Sequence, residues 1–239
     1  MPNNAIWRFE NLEIIIVDDN IQTFKSSHIQ IIMSNILLHP TYFPSISHFV
    51  AMAQADSITF ETEDNFQKQT NRNRMYIYSP NGIQLLNIPV KHNPVAGHQK
   101  YKDVKIETAF DWQKQHFKSL EAAYRTSPFF EYFEDDIRPV FERKHTYIMD
   151  LNFQVMEIVC QCLGMPFEYT KTAEYFHEAS GFDDLRTLAN GKKDGNQFEE
   201  YTQVFGDRHS YINNLSILDL LFNEGRYALE YLKRQKLIK

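Results

Sequence analysis

Apolar residues fall into short runs over the first half of the chain and into longer helical periods from about residue 111 onward. Glu13 to Val17 reads as a short apolar strand closed by Asp18-Asp19-Asn20. Met33 then stands directly before Ser34-Asn35-Ile36-Leu37-Leu38, which reads as the first core strand of a domain. The expectation is that Met33 is the functional start and that Met1 to Ile32 is an extension. An added edge strand is the alternative. From Ile36 the strand enters a proline-bounded loop, His39-Pro40-Thr41-Tyr42-Phe43-Pro44. A helix is predicted over Ser45 to Ala55, with Ser45 as N-cap and Phe49, Met52 and Ala53 on its apolar face. A strand is predicted at Ser57 to Glu61. Two β-rich runs, Arg74 to Tyr78 and Ile83 to Val90, flank Ser79-Pro80-Asn81-Gly82, and Asn-Gly between such runs predicts a hairpin. A further short strand is predicted at Val104 to Glu107.

The helical period then takes over. Asp111 caps a helix carrying Trp112, His116, Leu120 and Tyr124 at i, i+4 spacing, and Ser127-Pro128 ends it and starts another. Ile148, Leu151, Val155, Ile158 and Cys162 form one apolar stripe, with Gly164 as the C-terminal cap and Pro166 beyond it. Met165 to Arg186 is mixed, Asn190 to Asn196 is a polar loop, and helices follow at Ser216 to Asn223 and Arg226 to Gln235, broken at Gly225. The pattern predicts an α/β or α+β fold, with a mixed sheet and hairpin in the N-terminal half and a helical C-terminal half packed on it. Residues 33–239 read as one domain.

Composition narrows the function classes. The 239 residues carry 8 Gly and 9 Pro, too few for a collagen-like or linker-rich chain. Aromatics make up 14%, enough to fill a core and leave rings over for a cleft or an interface. A net charge of -6 argues against non-specific binding to duplex nucleic acid, which needs a basic surface. Cys160 and Cys162 sit on different faces of a helix, which disfavours a mutual disulfide and fits a reducing compartment. No apolar run reaches transmembrane length and no secretory signal is visible, so a cytoplasmic location is expected.

Candidate chemistry concentrates in fourteen positions holding Glu61, Glu63, Asp64, Lys68, Arg72, Asn73 and Arg74, between a strand and a hairpin. Beside a sheet edge these residues can converge on an anionic group with a carboxylate as base, although a solvated charged loop has the same composition. His39 stands just past a strand, where α/β folds build sites. Trp112, His116 and Tyr124 form an aromatic stripe that suits a core or a pocket wall. Dinucleotide, Walker, nucleophile-elbow and zinc signatures are absent, and the histidines show no paired ligand spacing, so no metal is expected and no cofactor is named. Phe43-Pro44-Ser45-Ile46-Ser47-His48 is similar in outline to the loop of nucleotidyltransferases with a His-Ile-Gly-His type signature, with Ser47 in place of the glycine and Ser45 in place of the first His.

Taken together, the ordered segments resemble the WbqC-like family. A strand and Pro-x-Tyr-(Leu/Phe)-Pro loop match Ile36 to Pro44, with His39 where many members carry Gln. An acidic strand end and a Lys-x-x-x-Arg-Asn-Arg segment match Glu61 and Lys68 to Arg74. Leu86 to Val90, the Trp112, His116 and Tyr124 helix, Ser127 to Phe130, Tyr201 to Phe205 and Asn214 to Gly225 continue the likeness, which runs from about Ile36 to Leu232. The resemblance implies polysaccharide (O-antigen) or bacterial envelope metabolism as context and supplies no catalytic residue.

The resulting expectation is a transferase-type enzyme acting on an anionic or activated small metabolite, such as a nucleotide-sugar or acyl donor. In it Lys68, Arg72 and Arg74 bind the anionic group, and Glu61 or His39 acts as general base. Asn73 orients the acceptor, while Tyr42, Trp112, His116 and Tyr124 contact substrate. The alternative is a non-catalytic protein- or glycan-binding module, which predicts an exposed aromatic patch. A third option stacks single-stranded RNA on Tyr76 and Tyr78 beside Arg72-Asn73-Arg74, against the net charge.

Overall fold

A computed structural model describes residues 5–9, 12–17, 20–24, 33–91 and 99–238. The chain divides into two compact units, 1–32 and 33–239. In the first unit three strands, β1 (Ala5–Phe9), β2 (Leu12–Val17) and β3 (Asn20–Phe24), pair antiparallel in that order, with Ala5 opposite Ile16 and Val17 opposite Asn20. Asn20 therefore opens a strand rather than closing one. Asp18 and Asp19 lie outside the described residues.

The second unit is built on a four-stranded parallel sheet. β4 (Met33–Leu38) and β5 (Ala55–Phe60) are joined by α1 (Ile46–Gln54), and β8 (Thr170–Lys171) and β9 (Asp183–Asp184) flank them in the order β8-β5-β4-β9. Ile36, Leu37 and Leu38 are all fully buried. An unbroken apolar run is what a parallel strand covered on both faces requires. β6 (Arg74–Ser79) and β7 (Gly82–Asn87) form the hairpin expected from Asn81-Gly82, with Gly82 at φ 92°. The hairpin stands as its own two-stranded sheet. Pro89 offers no N–H, and beyond it Val90 makes only an isolated bridge to Ile106. The strand expected at Val104 to Glu107 is instead a 3₁₀ turn (Tyr101–Asp103) followed by single bridges from Lys105 and Ile106.

Helices α2 (Trp112–Tyr124), α3 (Phe130–Glu142) and α4 (Ile148–Leu163) pack against one another, and α6 (Ile217–Glu224) and α7 (Ala228–Arg234) close the core. A four-residue turn of helix, α5 (Gly206–His209), precedes them. α4 ends at Gly164, whose φ of 67° lets its N–H reach Gln161 O and the Met165 N–H reach Cys160 O. Among the described residues no helix is long and apolar enough to cross a membrane.

Candidate functional site

The order β8-β5-β4-β9 reverses direction between β4 and β9, because the chain leaves β4 toward β5 and returns to β9 on the opposite side. In open parallel sheets, ligand sites form at the carboxyl ends of the strands at such a reversal. His39 follows β4 there, Glu61 follows β5 and Arg186 follows β9 by two residues. These positions are drawn together by ion pairs. Asp64 Oδ2 lies 2.9 Å from Arg72 Nη2 and 3.2 Å from His39 Nε2. Arg72, only 2% exposed, stacks its guanidinium over the Tyr101 ring, and Tyr101 donates to the Pro40 carbonyl at 2.7 Å. Asn152 Nδ2 donates to the Arg72 carbonyl at 2.8 Å. Helix α4 thus fixes the backbone that carries the arginine.

Both ring nitrogens of His39 face acceptors: Nε2 faces Asp64, and Nδ1 lies 3.4 Å from the Glu61 carbonyl. A neutral imidazole can donate from one nitrogen only, whereas the imidazolium satisfies both. Burial, aided by the Arg72 charge, pulls the His39 pKa below its ordinary value against the raising effect of Asp64. His39 is therefore neutral at pH 7 and sits in a frame that offers a second hydrogen bond when a proton arrives. Burial alone would raise the Asp64 pKa; the His39 hydrogen bond and the Arg72 charge hold it below the ordinary range.

Glu61 is fully buried and fully engaged. Its Oε1 accepts from the Glu63 N–H at 2.9 Å and the Thr172 hydroxyl at 2.8 Å. Its Oε2 accepts from the Phe176 N–H at 3.1 Å and lies 3.5 Å from Arg186 Nη1. Arg186 also forks onto Asp184 and donates to the Phe176 carbonyl at 2.6 Å. The carboxylate fastens the 172–176 segment to the end of β5. The sequence pattern marked Glu61 but not Thr172, Asp184 or Arg186, which lie in its mixed stretch more than a hundred residues away.

The other expected site residues separate into three places. Tyr42, Trp112, His116 and Tyr124 are buried in the core and line neither cleft described below. The Tyr42 hydroxyl lies 3.0 Å from His116 Nδ1, and Trp112 meets His116 edge-on. Tyr124 donates to Asp219 at 2.8 Å and accepts from the Tyr78 N–H at 3.0 Å. Burial of the aromatic stripe outweighs its use as a pocket wall. Asn73 donates to Asn87 Oδ1 and to the Ile88 carbonyl, which ties down the hairpin. Lys68 is exposed. His48 is fully buried with neither ring nitrogen hydrogen-bonded, so the nucleotidyltransferase-like outline places no histidine at a surface. Arg72 and Tyr78 are buried too, which removes them from an RNA-stacking surface.

Arg74 alone of the expected cations reaches a cleft, of about 330 Å³, where it meets Asn71, Tyr76, Lys192, Asp194 and Asn214. The Asn190 to Asn196 loop, read from the sequence only as polar, supplies one wall. A second groove, of about 600 Å³, lies on the helical half, where Tyr132 (75% exposed) and Tyr227 (49% exposed) stand beside Phe129 and Ile158. Among the described residues no group of three or more His, Cys, Asp or Glu is placed to hold a metal ion.

A model of the WbqC-like protein family matches residues 39–193, about two thirds of the chain. That range contains His39, Glu61, Asp64, Arg72 and Arg74, and also Asp184 and Arg186; the segments at 201–205 and 214–225 fall outside it. A relative from Mycobacterium tuberculosis (strain ATCC 25618 / H37Rv), "Uncharacterized protein Rv1507c", is 26% identical over 230 residues, covering 82% of this chain and 96% of the relative. No solved structure matches.

Proposed function

The chain belongs to the WbqC-like protein family, and from that premise we propose that it is a cytoplasmic transferase-type enzyme acting on a small anionic or activated metabolite in polysaccharide or envelope metabolism. The observation that supports this most is His39 itself. It lies at the reversal point of a parallel sheet, is neutral at pH 7, and gains a hydrogen bond to the Glu61 carbonyl when Nδ1 takes a proton. A neutral imidazole keeps one unprotonated nitrogen, which is what a general base for an acceptor hydroxyl or amine requires. Glu61, with all its lone pairs engaged, holds the site together, and Arg72 acts by fixing Asp64. Of the cations expected from the sequence, Arg74 reaches a cleft and Lys68 is exposed, and these two receive the donor's anionic group. The free thiols of Cys160 and Cys162 fit a reducing compartment.

A thermal-shift screen of the whole chain against nucleotides, nucleotide-sugars, acyl donors and amino acids tests the reading. One class should raise the melting temperature, since a hundredfold excess over Kd stabilises by about 2.7 kcal/mol. The shift should vanish in Arg74→Ala, whose own melting temperature should stay near wild type. A flat screen with well-folded protein would overturn it. The second reading, a protein- or glycan-binding module, draws on the exposed Tyr132 and Tyr227 rings alone.

A further inference from the structure

The cleft beside Arg74 carries chemistry of its own. Its floor is a weld between three elements: Ser45 bridges Ser216, the Ile46 N–H donates to Leu215 O, the Ile217 N–H donates to Pro44 O, and the Ser216 N–H donates to Tyr76 O at 2.9 Å. Two lining residues hold left-handed backbone, Phe43 at φ 37° and Asn214 at φ 56°. A buried phenylalanine rarely adopts that region, and such strain gathers at ligand sites.

Asp194 has its lone pairs engaged by neutral donors, so it is not open to ligate a cation, and its single negative charge is outweighed by the two cations of the cleft, Arg74 and Lys192. Oδ2 accepts from the Ser47 hydroxyl and from Asn214 Nδ2 at 2.7 Å, and Oδ1 accepts from the Asn196 backbone N–H at 3.1 Å and side-chain amide at 2.7 Å. These bonds hold the loop, and with it Lys192, against the cleft. Gly191 rests on the Asn71 amide so closely that a Cβ there would come within 3.2 Å of it.

The groups left over are all able to donate. Arg74 spends only Nε, on Asn87 at 3.2 Å, so its two terminal nitrogens are open. Among the described residues, Lys192, the Asn71 amide and the Tyr76 hydroxyl make no side-chain hydrogen bond. Arg74 through two terminal nitrogens, with Lys192, Asn71 and Tyr76, offers more donors than the roughly four lone-pair sites of one carboxylate can take. They match the charge and the three oxygens of a phosphoryl group. Phe43, Met75 and Leu215 supply an apolar wall beside them.

We propose that this cleft binds the phosphoryl group of a small phosphate monoester, held by Arg74 and Lys192 with Asn71 and Tyr76, and with its organic part against the apolar wall. The volume, near the lower end for ligand sites, suits a compact ester. The proposal rests on the reading of a small anionic metabolite and names its class.

Calorimetric titration of the full chain at fixed ionic strength, with phenyl phosphate, inorganic phosphate and benzoate as probes, tests it. Phenyl phosphate should bind more tightly than either other probe. Arg74→Ala and Lys192→Ala should each weaken it about tenfold or more, a change of about 1.4 kcal/mol per tenfold. Benzoate binding as tightly as phenyl phosphate would overturn the phosphoryl assignment while leaving the small-anion reading standing. Phenyl phosphate binding unchanged in both variants would place the site elsewhere and overturn the cleft assignment. Binding by none of the three would overturn this proposal and remove the support that Arg74 gives to the functional reading.

Discussion

Arg72 shows how much one buried side chain can hold. Its Nη2 pairs with Asp64, its plane covers Tyr101, and its backbone carbonyl receives Asn152 from α4. Truncating it would leave the Asp64 carboxylate buried beside His39 without its cation. Removing one partner of a buried pair costs about 3–5 kcal/mol, far more than the pair adds over apolar residues. Arg72→Ala should therefore lower the stability measured by urea unfolding by about that amount, whereas Lys68→Ala, at an exposed position, should stay within about 0.5 kcal/mol of wild type. Equal, small effects in both variants would mean that Asp64 finds water or another cation in place of Arg72. The sequence showed Lys68, Arg72, Asn73 and Arg74 as one cluster because it shows charge density and not direction. The turn through 71–73 sends Arg72 inward to Asp64 and Asn73 to the hairpin, and leaves Arg74, the first residue of β6, at the cleft.

At the scale of elements, the turn between α6 and α7 is held by close packing. Gly225 has φ 56° and ψ -124°, and a Cβ on it would sit 2.7 Å from the Phe129 ring. Phe129 cannot retreat easily, since its N–H donates to the Phe222 carbonyl at 3.0 Å and it packs on the core. Gly225→Ala should combine backbone strain of about 1–2 kcal/mol with overpacking of about 1–3 kcal/mol. The urea midpoint should fall with an unchanged slope; a midpoint within error of wild type would show that the ring moves aside freely. Elements of this kind were legible from the sequence: Asn81-Gly82, the α4 stripe ending at Gly164, and the break at Gly225 each carry a local signature. β8 and β9 were not. Two residues each, they have no period of their own and exist because β5 and β4 offer open edges, with Thr59 opposite Thr170 and Leu37 opposite Asp184. The order of the sheet, and hence the position of Arg186, lies in that long-range pairing rather than in any window of sequence.

The whole molecule stores several histidines in neutral form, and that sets its response to acid. Burial lowers the pKa of His48 and of His116 to about 4, and lowers that of His39 as well. His116 fits a neutral tautomer: Nδ1 accepts from the Tyr42 hydroxyl, and the other nitrogen donates to the Asn87 carbonyl. Each folded pKa lies below the unfolded value near 6.5, so the unfolded chain binds protons first as pH falls. The stability this confers is complete above about pH 6.5 and is lost as pH drops through 4. Two such groups give a slope of about 2.7 kcal/mol per pH unit in that window, at 1.36 kcal/mol per proton. Asp219 acts in the opposite sense. Burial raises its pKa against hydrogen bonds from Tyr201, Tyr124 and Gln203, so its contribution is present below the unfolded value of 3.8 and fades as pH rises through the folded value. It softens the acid loss without reversing it, being one group against four histidines, because burial lowers the His145 pKa as well. His48 isolates the effect, because its ring makes no hydrogen bond and sits within reach of the Asp194, His39 and Arg72 charges. His48→Leu should be neutral or stabilising at pH 7, since an unsatisfied buried polar group is exchanged for an apolar one. Urea unfolding between pH 7 and pH 4 should then show the slope reduced by about half for the variant. An unchanged slope would mean that His48 takes its proton in the folded chain too, or that a carboxylate rather than a histidine governs acid unfolding.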